Sequence, residues 1–276
     1  DCGMRFDVIT LFPELFQPLL TAGVTRRAYA QGLVEVHLWQ LRDFAEGNYR
    51  RVDDRPFGGG PGMVMQAAPL AACLAAIRAA RAEAQPAPLV LFSPMGDRLD
   101  HASVSTWAES AGAVLLCGRY EGIDQRFVDA HVDAQISLGD FVLSGGEIAA
   151  MALLDAVARL QPGVLHDAQS HIADSFNPAL DGLLDCPHYT RPEVWEGRTV
   201  PDVLMSGNHA DIGAWRRAQS LLHSQRLRPE LVEAARQAGK LGKADEQVLR
   251  QAGQGSGVGG AGGTGKTGKI GKGSAF

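Results

Sequence analysis

Short apolar runs alternate with helical patterns through the first half of this chain, and that alternation constrains the fold more than any other feature. It calls for an α/β architecture built on a largely parallel sheet. The strand candidates are Phe6–Leu11, Val34–Trp39, Leu89–Phe92, Val114–Cys117 and Ala134–Leu138. The helix candidates are Ala67–Ala84, which no glycine interrupts, and Glu147–Leu160, where Ile148, Met151, Leu154 and Val157 recur near helical spacing. The second ends at Gln161-Pro162-Gly163, a stop signal.

Glycine-rich loops punctuate this pattern: Asp53-Asp54-Arg55-Pro56-Phe57-Gly58-Gly59-Gly60-Pro61-Gly62-Met63, Cys117-Gly118-Arg119-Tyr120-Glu121-Gly122, Leu138-Gly139-Asp140 and Leu143-Ser144-Gly145-Gly146-Glu147. Without a Cβ, such backbone can approach a ligand closely. Three of these loops follow apolar runs, at the strand ends where open α/β sheets bind ligands. The pattern reads as an enzyme with a bound cofactor.

The 276 residues, 45% apolar and 21% charged, suit one large folded domain or two ordinary ones. No apolar run reaches the roughly 18 residues of a membrane span, and no signal-peptide pattern opens the chain. Cys2, Cys73, Cys117 and Cys186 are widely spaced without a CxxC pair, so they read as reduced thiols of a cytoplasmic protein rather than a disulfide framework or a zinc site. The net charge of −5 argues against a nucleic-acid partner until its distribution is considered. Residues 214–276 hold eleven Arg and Lys against four acids, a surplus of +7 that leaves −12 on residues 1–213. Such asymmetry points to a polyanion-binding arm, the alternative being a solvated basic helix with a tail.

Four segments follow: residues 4–162, a linker at 163–178 without periodicity, a helical domain at 179–252, and a Gly/Lys-rich tail at 253–276 unable to build a core. Within the third, Ile212, Trp215, Gln219 and Leu222 mark one side of a helix through Trp215–Leu227, and Pro229 opens another. Residues 260–267 satisfy GxxxxGK[ST] but lack the preceding strand and following helix of a phosphate loop, so the match is a product of biased composition.

Three segments carry a family resemblance: Val52–Met63, Cys117-Gly118-Arg119-Tyr120-Glu121-Gly122-Ile123-Asp124, and Gly182-Leu183-Leu184-Asp185-Cys186-Pro187-His188-Tyr189-Thr190-Arg191-Pro192. With them the chain, from about Phe6 to Leu231, resembles the bacterial tRNA (guanine-N1)-methyltransferases that act on guanosine 37. The resemblance implies a SPOUT-type α/β domain with a deep trefoil knot and a small helical C-terminal domain that grips tRNA. It also implies an obligate homodimer with an active site shared between subunits, and S-adenosylmethionine as methyl donor, with Mg2+ as a further candidate cofactor.

Methylation at N1 of guanine needs a base for the N1 proton and a cation for charge developing on O6. The resemblance assigns Asp174, in Ala173-Asp174-Ser175-Phe176, as that base and Arg159 as the stabilising cation, with Glu121 an acid that orders the site and the magnesium ion. Pro94, Gly118, Tyr120, Ser137, Leu138, Gly139, Leu143, Gly145 and Gly146 would form the donor site. Asp54, Arg55, Gly59, Asn208, His209, Arg216 and Arg217 would contact tRNA. Each has a plainer reading: Asp155 and Arg159 are spaced as a surface helix pair, and Asp174 could cap the turn before Asn177-Pro178. Cys186-Pro187-His188 offers two metal-ligand types, too few for a metal site. Phe57 replaces the family's tyrosine and Met95 its glutamine. Competing functions are a non-catalytic RNA-binding protein of this fold and a methyltransferase for another RNA position.

Overall fold

Phe6, Val8 and Ile9 have no exposed surface, so strand β1 (Met4–Thr10) is buried on both faces, as a central parallel strand must be. Around it lie β2 (Val34–Gln40), β3 (Leu89–Arg98), β4 (Gly112–Leu116) and β5 (Ala134–Ser137), in the order β2-β1-β4-β3-β5 with every pairing parallel. The computed structural model describes residues 3–82, 86–165 and 174–255. The two-residue period of the strands sorts their side chains into two layers. Phe6, Val8, Val90 and Leu115 enter one cluster, while Ile9, Leu89, Leu91, Val114 and Leu116 enter the other.

Helix α1 (Ala67–Arg81) covers the second layer with Leu70, Cys73, Leu74 and Ile77. Two short helices, α2 (His101–Ala108) and α3 (Gln125–His131), are capped by Asp100 and Asp124, whose carboxylates accept from Ser103 N (2.8 Å) and Arg126 N (3.0 Å). Helix α4 (Glu147–Arg159) covers the first layer with Ala150, Leu153, Leu154 and Val157. All five expected strands are present with ends shifted by a few residues, and α2 and α3 are additions. Each buries too few apolar residues to show a period.

One buried charge ties the layers together. Asp7, on β1, has no exposed side-chain surface. It accepts from Arg5 (3.0 and 2.9 Å), from Arg81 at the end of α1 (2.7 Å) and from Trp39 Nε1 on β2 (2.8 Å). Burial by itself would raise its pKa; the hydrogen bonds from Arg5, Arg81 and Trp39 outweigh that and hold the carboxyl below its usual value.

The chain divides into two compact units, residues 1–171 and 172–276. The division falls inside the expected linker, and the described part of that segment past it belongs to the second unit. There Phe176 N donates to Leu183 O (2.9 Å), and Leu183 is wholly buried with Leu221, Val232, Ala235 and Leu249. Three helices carry this core: α5 (His209–Leu227), α6 (Pro229–Gln237) and α7 (Lys243–Gly255). Helix α7 runs two residues past the expected start of the tail. Its first turns hold few apolar residues; Leu249 and Val248 packing on the core, with the Arg217–Asp245 pair, secure it. The phosphate-loop match at 260–267 lies outside the described residues. Among the described residues no helix is long and apolar enough to cross a membrane.

Candidate active site

The loops leaving β3, β4 and β5, with the first turn of α4, enclose a cavity of about 510 Å³. That volume is within the range of small-ligand sites. Eight of the nine residues expected to hold the donor line it: Pro94, Gly118, Tyr120, Ser137, Leu138, Leu143, Gly145 and Gly146. Gly139 does not. It is the turn just outside, where its backbone N–H donates to Ser137 Oγ (3.1 Å) and its carbonyl accepts from the same hydroxyl (3.1 Å). Arg119, Gln135, Phe141, Val142 and Ser144 also line the cavity; none was assigned to the donor site by sequence, although Ala134-Gln135 departs from the acid–tryptophan pair usual in the family there. Strand alternation leaves Gln135 ambiguous, and the last three lie in a loop whose course no period reveals.

The wall near Pro94 exists because β3 is irregular. Phe92 and Asp97 both pair with Ile136, so Ser93–Gly96 bulges out of the ladder between them. Gly96 permits this, since a Cβ there would lie 2.5 Å from the backbone of Gln135 and Ile136.

Beneath the floor is a second buried carboxylate. Glu147, 1% exposed, accepts from Thr10 Oγ1 (2.9 Å) on β1 and from Arg119 Nε (2.9 Å). Arg119 also donates to Ser144 O (3.3 Å) and lies 4.6 Å over the Phe12 ring, so one guanidinium binds the loop after β4 to the loop before α4. This changes the meaning of the Gly145-Gly146 pair. A Cβ on Gly145 would sit 2.2 Å from Arg119 Nε, and one on Gly146 would sit 2.8 Å from Cys117 Cα. Both glycines make room for protein neighbours as well as for any ligand. Cys117 is fully buried there, and burial, with a contribution from Glu147, pushes its thiol well above the ordinary range.

Tyr120 has φ of 62°, an unfavourable conformation for a residue with a Cβ and a kind of strain found at ligand sites. Glu121, the one acid lining the cavity among the described residues, packs its side chain against Gly62. Parallel pairing of Val64–Met65 with Gly122–Ile123, and antiparallel pairing with Asp53–Asp54, bring the glycine-rich loop to that rim. Asp54, Arg55 and Gly59 are exposed on it, as is Phe57.

Arg159 ends α4, half-buried, in the first unit, and Asp174 begins the described part of the second. Asp155 accepts from Thr25 Oγ1 (2.8 Å), so this acid has a partner other than Arg159. In the second unit Asn208 caps α5, accepting from Ala210 N (3.1 Å), while His209 and Arg216 are exposed. Arg217 is placed differently: it makes a two-pronged pair with Asp245 (3.1 and 2.9 Å) and a further contact with Asp181 (2.9 Å). These contacts join α5 to α7 and to the Asp181 turn. Asp185, Cys186 and His188 have ligand atoms within 4.8 Å of one another, but hydrogen bonding accounts for the group. Asp185 takes His188 Nε2 (2.8 Å) and Cys186 N (2.7 Å), and burial raises the Cys186 thiol pKa.

Comparison with known proteins agrees over nearly the whole described chain. The model of the family described as tRNA (Guanine-1)-methyltransferase TrmD matches residues 4–234. The chain is 74% identical over 248 residues to the tRNA (guanine-N(1)-)-methyltransferase of Paracidovorax citrulli, covering 89% of this chain and 97% of the relative. It is 71% identical to that of a Polaromonas species (89% and 96% covered) and 59% identical to that of Bordetella pertussis (89% and 96%). On the family match and these identities, the chain belongs to the tRNA (guanine-1)-methyltransferase family.

Proposed function

We propose that this protein methylates N1 of guanosine 37 in tRNA, with S-adenosylmethionine as donor, in the cytoplasm. The observation that carries the reading is the cavity at the ends of β3, β4 and β5, in a chain whose relatives are named tRNA (guanine-N(1)-)-methyltransferase. The cavity suits such a donor. Bare backbone at Gly118 leaves 3.5 Å between a would-be Cβ and Ile123 Cδ1, and Leu91, Ile136, Leu138 and Leu143 offer apolar walls to an adenosine. When bound, the donor supplies an electrophilic methyl group. The protein's own groups do the rest. Asp174 takes the N1 proton as the nitrogen attacks, and the Arg159 guanidinium faces the negative charge that grows on O6. Glu121 offers a single carboxylate, which suits a Mg2+ ion that keeps most of its waters.

For tRNA, we assign the exposed Asp54–Gly59 loop, His209 and Arg216 to phosphate and unstacked-base contacts. The target guanine leaves its stack to reach the cavity. A trefoil knot through the cavity loops and a homodimer that completes the site belong to the same reading.

The test is methyl transfer from labelled S-adenosylmethionine to a transcript bearing guanosine 37, beside one bearing adenosine 37. Label should appear on the first alone. Asp174→Ala should lower kcat by about 10²–10⁴-fold, and Arg159→Ala by about 10²–10³-fold, with tRNA binding kept. Equal label on both transcripts would reject position 37, and tRNA binding without any label would reject catalysis.

A further inference from the structure

Asp174 opens a tight turn. Asn177 N donates to Asp174 O (3.2 Å), closing residues 174–177, and Phe176, third in that turn, has φ of 69°. A positive φ at the third position suits glycine and is strained for a residue with a Cβ, so it persists only where neighbours enforce it. Here one strip of chain does so twice. Phe176 N donates to Leu183 O (2.9 Å), and Asp185 N donates to Ser175 Oγ (2.9 Å). The strip is anchored in its turn: Leu184 N donates to Ser224 Oγ (2.9 Å) and Leu184 O accepts from Ser220 Oγ, both on α5. The Asp185 carboxylate accepts from Cys186 N and His188 Nε2, which stiffens the strip just past its bond to Ser175. The Gly182–Pro192 motif thus begins as the support of a strained turn.

We propose that Ser175 is a positioning residue for Asp174: its hydroxyl, held by Asp185 N, fixes the turn and with it the direction of the Asp174 carboxylate. The inference rests on the reading of Asp174 as the base for the N1 proton. A carboxylate acts as a base only within hydrogen-bond reach of that proton. On a turn free to relax it would sample several directions, and an ångström of misplacement costs about 10²-fold in rate. The bond to Leu183 joins backbone to backbone, so the Ser175 hydroxyl is the support that a substitution can remove. Its role is orientation, with no bond made or broken.

The experiment is single-turnover methyl transfer from labelled S-adenosylmethionine to the guanosine 37 transcript by the full chain. The same measurement is made on Ser175→Ala, Ser175→Thr, Asp174→Ala and the double variant carrying both alanines. Ser175→Ala should lower the rate at saturating tRNA and donor by about 10- to 100-fold, with both half-saturation concentrations and the melting temperature near the parent's. Ser175→Thr, which keeps a hydroxyl, should restore the rate. On the Asp174→Ala background the second alanine should cost nothing further, because a group that acts through Asp174 has nothing left to orient. A residue that only supported the fold would lower the rate equally on both backgrounds. Such equal losses, or a parental rate in Ser175→Ala, overturn the proposal. Should the alanine variant fail to fold, Ser175→Cys, whose thiol is a weak acceptor, makes the same comparison. If Asp174→Ala keeps the parental rate, the base reading falls and the proposal with it.

Discussion

At the scale of single residues, the buried Asp7 owes its behaviour to its surroundings. Asp7 is held by two arginines and a tryptophan, and its pKa is depressed. Its stabilising effect is therefore complete above the unfolded value of about 4 and disappears as pH falls through the folded one. Urea midpoints measured from pH 7 down to pH 2 should fall steeply below pH 4 for the parent protein. In Asp7→Asn the curve should be flatter there, and the variant should be less stable by about 3 kcal/mol at pH 7, because two guanidiniums lose their carboxylate. A parallel decline of the two curves would remove Asp7 as the group responsible. Among the thiols, burial and then the Asp7 charge push Cys73 up to about 12, which makes it a poor nucleophile in the folded protein.

At the scale of elements, Arg119, Gly145 and Glu147 act as one part. Gly145→Ala should cost about 1–3 kcal/mol, because displacing the guanidinium leaves the buried Glu147 carboxylate without its counter-charge. Arg119→Ala should cost a similar amount, yet adding Gly145→Ala to it should cost little more, since the clash is already gone. Denaturant midpoints for the four proteins of this cycle give the answer, and simple additivity would show the two positions to be independent. The strands were legible because Gly112–Leu116 is a continuous apolar run and Val34–Gln40 alternates β-forming apolar residues with Glu35 and His37. The bulge at Ser93–Gly96 was not, since it arises from a second pairing with β5 that local pattern does not contain. Glycine placement and family motifs marked most of the cavity lining. The guanidinium seat under Gly145 was hidden because it joins residues far apart in sequence, and α7 because it brings few apolar residues, Val248 and Leu249, to the core.

At the scale of the whole molecule, the basic segment separates into structural and exposed charge. Arg217→Ala should lower the melting temperature of the second unit, because α5, α7 and the Asp181 turn lose their shared cation. Arg216→Ala should leave melting unchanged and, on the proposed reading, weaken tRNA binding with a salt slope reduced by about one. Scanning calorimetry together with tRNA titrations at several salt concentrations separates the two. If both variants bound tRNA equally weakly and melted as the parent does, the assignment of Arg217 as a structural residue would be wrong.

The bond from Thr10 to Glu147 spans 137 positions, and it orders events during synthesis. The first strand leaves the ribosome long before the helix that completes the cavity floor. At about 5–20 residues per second, the wait is of the order of ten seconds. Over that interval the nascent chain has no complete floor on which, in the proposed reading, a donor would rest, so on that reading metabolite supply cannot rescue a stalled or truncated product. Protection by the ligand begins only when translation has passed α4, and a chain ending before it is left to chaperones and proteases.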